Sequence, residues 1–284
     1  MGPGARPARP AGSRSGRHRR AAVRPARPAM NAQEVALTGA HGVRLAAIRE
    51  GANPEAIVVF AHGFLSDKHA LGRFDRLAAR YVEAGYSTLR FDFSGNGASG
   101  NAPITDERRT GDLRAVLDQV ETWGYQRVAL HGHSKGGSIS LRARDPRVSA
   151  MVLTGARTAP VYYDWSEHLP ADVLTGIRTR GRGRSPATGP RAFHLLTQQS
   201  LDDFATLDTR EILSAIKLPV LLMYGDAPHD REELLLAEHA ACGMRYLSPE
   251  SRLLIVHGAD HSMEGHIEEV ADHGIAWLRT YCPA

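Results

Sequence analysis

The sequence predicts an α/β protein with a mostly parallel central sheet, helices on both faces and a small cap insertion. Three observations carry this. From residue 56 onward, short apolar runs alternate with amphipathic stretches of helical period, the pattern of strand–helix–strand units. The apolar runs end in glycine-containing turns, at the carboxyl ends of strands where such sheets hold their sites. One stretch, from Ala156 to Lys217, is too long for a plain connection and reads as an insertion over the sheet.

The elements follow in order. EVALTGAHGVRLAAIRE (34–50) has two apolar stretches around a glycine-containing turn and reads as a hairpin. Ala56 to Phe60 is a β-branched run that ends in His62-Gly63-Phe64. Leu71, Phe74, Leu77, Ala78, Tyr81 and Val82 recur at helical spacing, and Gly85 closes that helix. STLRFDFSGNGASG is a strand with a glycine-rich loop. Leu113, Val116, Leu117 and Val120 mark one face of the next helix. RVALHGHS, VSAMVLTGA and PVLLMYGD look like buried parallel strands. RLLIVHGADHS is the last strand, and EEVADHGIAWLRTY the closing helix. The insertion, about 157–216, carries Tyr162, Tyr163, Trp165 and Phe193 and only weak helical patches.

Charge is unevenly spread. The first 30 residues hold eight arginines and no acidic residue, so within a chain of net charge +4 residues 31–284 carry −4. The body is mildly acidic, which argues against nucleic-acid binding. The segment 1–30, rich in Arg, Pro, Ala and Gly, is expected to be disordered; Met30 is the expected true start, with the preceding residues dispensable. No apolar run reaches the length of a membrane span. Two cysteines, Cys242 and Cys282, form no disulfide framework and fit a reducing cytoplasm.

The chemistry centres on Gly132-His133-Ser134-Lys135-Gly136, a G-x-S-x-G pattern between a strand and a helix. Such a turn exposes a serine Oγ, which becomes a nucleophile only with a base and a stabilised oxyanion. The Phe64 and Lys135 N–H groups are the expected oxyanion donors, one after the early strand and one after the nucleophile. His261, on the loop after the last strand, is the expected base. Asp230 is slightly favoured as its acid because the loop needs length to reach. Asp226 is nearly as good, and Asp164 in the cap is a third choice.

His62, Gly63, His133, Tyr162 and Trp165 are the candidate substrate-binding residues, although His62 reads equally well as a structural histidine. His131, His133 and His257 also read as structural. The spacing of His257, His261 and His266 fits no zinc pattern, so no metal or other cofactor is expected. Asp92, Ser94, Gly95 and Gly97 are expected to shape the site wall. The Lys135 side chain is expected to face solvent. Arg178, Arg180, Arg182 and Arg184 read as a solvated flexible loop.

Taken in order, FAHGF, FDFSGNGASG, GHSKGG, MYGD and GADHS resemble the α/β-hydrolase superfamily. The chain is most similar to serine-aminopeptidase-like and dienelactone-hydrolase-like esterases, including cinnamoyl- and feruloyl-esterase-like members, over about residues 31–284. The resemblance implies a Ser134–Asp–His261 triad and an acyl-enzyme. Two departures stand out. The position three residues beyond the glycine of the acid loop, where the family places its acid, is Pro228. The helix after the nucleophile has roughly two turns before Pro146. The expected activity is hydrolysis of carboxylic esters of small or medium acyl groups on Ser134. Amide, peptide or thioester hydrolysis needs the same triad, and a non-catalytic ligand-binding member of the fold is the other alternative. The expected partner is a small-molecule ester, with no nucleic acid and no membrane; a homodimer stays open.

Overall fold

In the computed structural model, which describes residues 32–187 and 189–284, the first two strands are β1 (Gln33–Thr38) and β2 (Arg44–Glu50). They pair antiparallel, as the hairpin over 34–50 requires. The Arg/Pro-rich segment expected over 1–30 lies outside the described residues. Then come β3 (Ala56–Ala61), α1 (Arg73–Glu83), β4 (Ser87–Phe91), α2 (Asp106–Thr122), β5 (Arg127–His133), α3 (Lys135–Ala143) and β6 (Val148–Thr154). The cap stretch contributes α4 (Ala171–Arg180), β7 (Gly183–Pro186), β8 (Phe193–Leu196), α5 (Gln198–Asp202) and α6 (Thr209–Ser214). The chain returns to the sheet as β9 (Val220–Gly225), α7 (Arg231–Gly243), β10 (Arg252–Val256) and α8 (Ile267–Tyr281).

Eight of these strands form one sheet in the order β1-β2-β4-β3-β5-β6-β9-β10. From β4 to β10 every neighbour pairs parallel. Alternate side chains of the central strands feed two cores. Ile57, Val59, Leu130, Leu153 and Leu222 pack with α2, α3, α6 and α7 on one face. Val58, Phe60, Ala129, Val152 and Met223 pack with α1 and α8 on the other. Burial on both faces explains why these strands read as unbroken apolar runs; each Val, Leu, Ile, Phe or Met among them contributes roughly 1.5–3 kcal/mol of transfer free energy.

The topology also places the site. β3 leads to β4 on one side, whereas β5 adds on the other, so the order reverses between β3 and β5. The crevice beyond such a reversal is where α/β sheets bind ligands. Register pairs Ala61 with Gly132, bringing the loop after β3 against the turn after β5. Over this end sits the cap, whose apolar cluster of Leu169, Val173, Ile177, Leu196 and Leu201 includes Ile104 and packs against Phe64 and Trp165. Helix α3 has nine residues. It stops at Arg144, which is left-handed, before Pro146 can disrupt it.

Candidate active site

Ser134 links β5 to α3 with φ 54° and ψ −124°. A non-glycine residue in this region carries strain of about 1–3 kcal/mol, and the surroundings enforce it. The Ser134 N–H donates to Thr154 O at 2.8 Å, and its carbonyl accepts from the Gly137 N–H at 3.0 Å. A Cβ on Gly132 would lie 2.7 Å from Gly137 Cα, one on Gly137 2.6 Å from Ala156 Cβ, and one on Gly136 would overlap Ala61 O. The glycines of the motif therefore let α3 press onto β3, β5 and the end of β6.

His261, on the loop after β10, reaches this turn. Its Nε2 lies 2.9 Å from Ser134 Oγ, and its Nδ1 2.6 Å from Glu233 Oε2. With the carboxylate accepting from Nδ1–H, Nε2 is left to accept the serine proton. Burial disfavours the imidazolium. The hydrogen bond and charge of Glu233, with Glu232 and Asp230 behind it, outweigh that and raise the His261 pKa above its ordinary value.

The carboxylate on His261 is thus Glu233, not Asp230, Asp226 or Asp164. Asp230 is the N-cap of α7: its Oδ1 accepts from the Glu233 N–H at 3.0 Å and its Oδ2 from the His261 N–H at 2.7 Å. It holds the histidine's backbone rather than its ring. Asp226 turns outward, engaged by His257 Nδ1 at 2.7 Å and the Gly258 N–H at 2.6 Å. Asp164 is exposed and accepts from Ser166. Glu233 succeeds because side chains in a first helical turn point back toward the N-terminus, here toward the end of β9. Its Oε1 accepts from the Gly225 N–H at 2.9 Å, and the residue is fully buried. One signal for it lay in the sequence: the Ser–acid–His chain order admits Glu as well as Asp. Against it, Asp230-Arg231-Glu232-Glu233 reads as a capping box.

The loop His62-Gly63-Phe64 lies against the serine, where a Cβ on Gly63 would come within 3.4 Å of Ser134 Cβ. His62 is not a substrate contact. It is fully buried; its Nε2 accepts from the Phe93 N–H at 3.2 Å, which leaves Nδ1–H to donate to Gly63 O at 2.9 Å. Burial and the Arg109 charge push its pKa well down, so the ring is neutral. His133 is buried too, with Nδ1 on Thr154 Oγ1 at 2.9 Å and its ring 5.1 Å from that of His261. It packs behind His261. His131 bonds Tyr81 OH at 2.9 Å, and burial lowers its pKa to about 3.

Trp165 stands over the loop, 5.0 Å from the ring of Phe204 and 6.2 Å from that of Phe64. Tyr162 is 82% exposed. The Lys135 side chain does not face solvent. It is buried, with Nζ 2.6 Å from Asp106 Oδ1 and 4.1 Å from the Phe204 ring centre. An apolar ring and a carboxylate make this enclosure cheaper than bare burial. Asp92 organises its own loop, accepting from the Lys68 and Ala98 N–H groups and from Lys68 Nζ. Among the described residues no group of three or more His, Cys, Asp and Glu is arranged to hold a metal ion, and no helix is long and apolar enough to cross a membrane.

Comparison with known proteins agrees with this fold. Residues 52–176 match the family model of serine aminopeptidase, S33. An uncharacterized 31.7 kDa protein of Escherichia coli is 30% identical over 112 residues, 37% of this chain and only 38% of that protein. A monoacylglycerol lipase of Mycolicibacterium smegmatis is 26% identical over 218 residues, covering 72% of this chain and 70% of the lipase. Est1E from Butyrivibrio proteoclasticus, solved with ferulic acid bound, superposes with a TM-score of 0.67 at 17% identity, covering 86% of this chain and 98% of Est1E.

Proposed function

Starting from a chain that belongs to the α/β-hydrolase superfamily, we propose that it is a serine hydrolase that cleaves carboxylic esters through an acyl-enzyme on Ser134. The observation that carries this reading is the continuous relay Ser134 Oγ, His261 Nε2, His261 Nδ1, Glu233 Oε2, with steps of 2.9 Å and 2.6 Å at its two hydrogen bonds.

In the proposed cycle His261 takes the Ser134 proton as Oγ attacks the ester carbonyl. Glu233 stabilises the imidazolium and keeps the ring oriented. Negative charge develops on the former carbonyl oxygen, facing the Phe64 and Lys135 amides; one such donor is typically worth about 10²–10³ in rate. His261 then gives its proton to the departing alkoxide. Water, deprotonated by the same imidazole, attacks the acyl-enzyme; the bond from the acyl carbon to Ser134 Oγ breaks, the imidazolium returns the proton to Oγ, and the acid leaves.

Support for an ester substrate is twofold. The M. smegmatis relative carries the name of an ester-cleaving lipase. The aromatic wall of Phe64, Trp165, Tyr163 and Phe204 suits an apolar acyl or aromatic group better than a charged peptide. Against a non-catalytic binding member stands the carboxylate of Glu233 on His261, present although the family's acid position is Pro228. The test is turnover of p-nitrophenyl esters of increasing acyl length by the parent and by Ser134→Ala. Turnover that is lost in the variant is expected; equal rates in both proteins would refute the assignment.

A further inference from the structure

We propose that Arg109, on the buried face of α2, is a positioning residue that sets the oxyanion hole by fixing the peptide between Gly63 and Phe64. This rests on the serine-hydrolase reading above and concerns how the hole is held rather than whether it exists.

Arg109 is fully buried, and one nitrogen, Nη2, donates to both His62 O and Gly63 O at 2.8 Å. The guanidinium lies 4.3 Å from the Phe93 ring centre. The Gly63 carbonyl also accepts from His62 Nδ1–H at 2.9 Å. That carbonyl and the Phe64 N–H belong to one trans peptide, since the described chain has no cis bond. In a trans peptide the C=O and N–H point in opposite directions. Pulling Gly63 O inward toward Arg109 therefore turns the Phe64 N–H the other way, to the side where a carbonyl bonded to Ser134 would sit.

The loop needs such a hold. Gly63 has no side chain to restrict its rotation, so the peptide after it is free to flip. A flip would replace the Phe64 N–H with a carbonyl oxygen facing the developing oxyanion, turning attraction into repulsion. A buried guanidinium is expensive compared with an apolar residue of the same volume, and here its hydrogen bonds go to this loop.

The same helix face supports the second donor. Asp106, three residues before Arg109, holds the side chain of Lys135, whose amide is the other proposed donor, and also pairs with Arg142 at 3.2 Å. Asp112, three residues after it, accepts from the Ala40 and Ser94 N–H groups at 3.0 and 2.8 Å. The buried stripe Asp106-x-x-Arg109-x-x-Asp112 thus reaches both strand-end turns from one helix.

The test is steady-state kinetics of Arg109→Met and Arg109→Lys on a p-nitrophenyl ester, with binding of a boronic acid and of the product acid. Arg109→Met should lower kcat by about 10²-fold, as loss of one oxyanion donor does, with KM within about 3-fold. Affinity for the tetrahedral boronate should fall in parallel and affinity for the acid should not. Arg109→Lys, which retains a donor and the charge, should recover part of kcat. A folded Arg109→Met with kcat within about 3-fold of the parent, or with equal losses for boronate and acid, would overturn the proposal. If neither variant folds, Arg109→Gln, whose shorter side chain keeps an N–H donor but cannot span both carbonyls, is assayed in the same way; a kcat decrease at constant KM is expected, and an unchanged kcat overturns it. A parent that takes no fluorophosphonate label overturns the serine-hydrolase reading itself. An active parent with an equally active Arg109→Met overturns this inference alone.

Discussion

Glu233 Oε2 sits 2.6 Å from His261 Nδ1, so the carboxylate that orients the imidazole comes from the first turn of a helix rather than from the loop after β9. Asp230 lies three residues earlier and holds the same histidine by its backbone N–H. The two acids act on different parts of one residue. Asp230 fixes where the histidine loop runs, and Glu233 fixes the tautomer and rotation of its ring.

This division predicts unequal mutational effects. Glu233→Gln should lower kcat by about 10²–10⁴, as loss of a triad carboxylate does elsewhere. Asp230→Asn should cost roughly 10-fold at most and about 1 kcal/mol of stability, because a cap residue able to accept remains. Asp226→Asn should leave kcat within about 2-fold, since its partner His257 is an exposed surface group. Comparing kcat for the three variants on one ester checks the order.

The pH profile follows from His261. Only the neutral imidazole can accept the Ser134 proton, and its pKa is raised above 6.5. The rate should therefore climb with pH through a midpoint above 6.5. In Glu233→Gln the charge that favours the imidazolium is gone and burial, which opposes it, remains; the midpoint should move to lower pH. The linkage to stability has the opposite sense: the raised pKa stabilises the fold below about pH 6.5, and this contribution is lost as pH rises through the folded-state value. kcat/KM measured from pH 5 to 9 in both proteins tests the shift.

Gly136→Ala should be among the most disruptive small substitutions. The added Cβ would meet Ala61 O, which belongs to rigid strand backbone rather than to a flexible side chain. A loss of at least about 2–3 kcal/mol is expected. For a domain of this size that corresponds to a Tm drop of roughly 4–12 °C, readable by thermal unfolding.

The Lys135–Asp106 pair makes a fourth prediction. Burial, with Arg157 nearby, lowers the Lys135 pKa to about 7, while Asp106 supports its charge. Asp106→Asn leaves the buried amine without that support and should cost about 3–5 kcal/mol. Adding Lys135→Met should recover much of the loss, because an apolar chain then replaces an unpaired charge. Urea unfolding of the single and double variants measures the coupling.

Much of the fold was legible because its signals are local. β-branched runs and the glycines after them mark the parallel strands of the main sheet and their carboxyl ends, and Ser134 and His261 both stand at such ends; the cap strands β7 and β8 carry no such signal. Glu233 was not legible in the same way. Its role depends on how far α7 rotates before its first inward side chain, which a residue count after Gly225 does not report. The buried charges were hidden for a related reason. Asp106, Arg109 and Asp112 share a helix with Leu113, Val116 and Leu117, and local pattern reads such charges as solvent-facing. Their burial arises from contacts with residues distant in sequence, among them Gly63, Lys135 and the cap residue Asp203, whose carboxylate accepts from the Asp106 N–H at 2.7 Å.

The central claim, that Ser134 is a nucleophile driven by His261 and Glu233, is tested most directly by fluorophosphonate labelling followed by peptide mapping. One adduct is expected, on Ser134, absent in Ser134→Ala and formed much more slowly in Glu233→Gln. No adduct on the parent, or one that persists in Ser134→Ala, would contradict it.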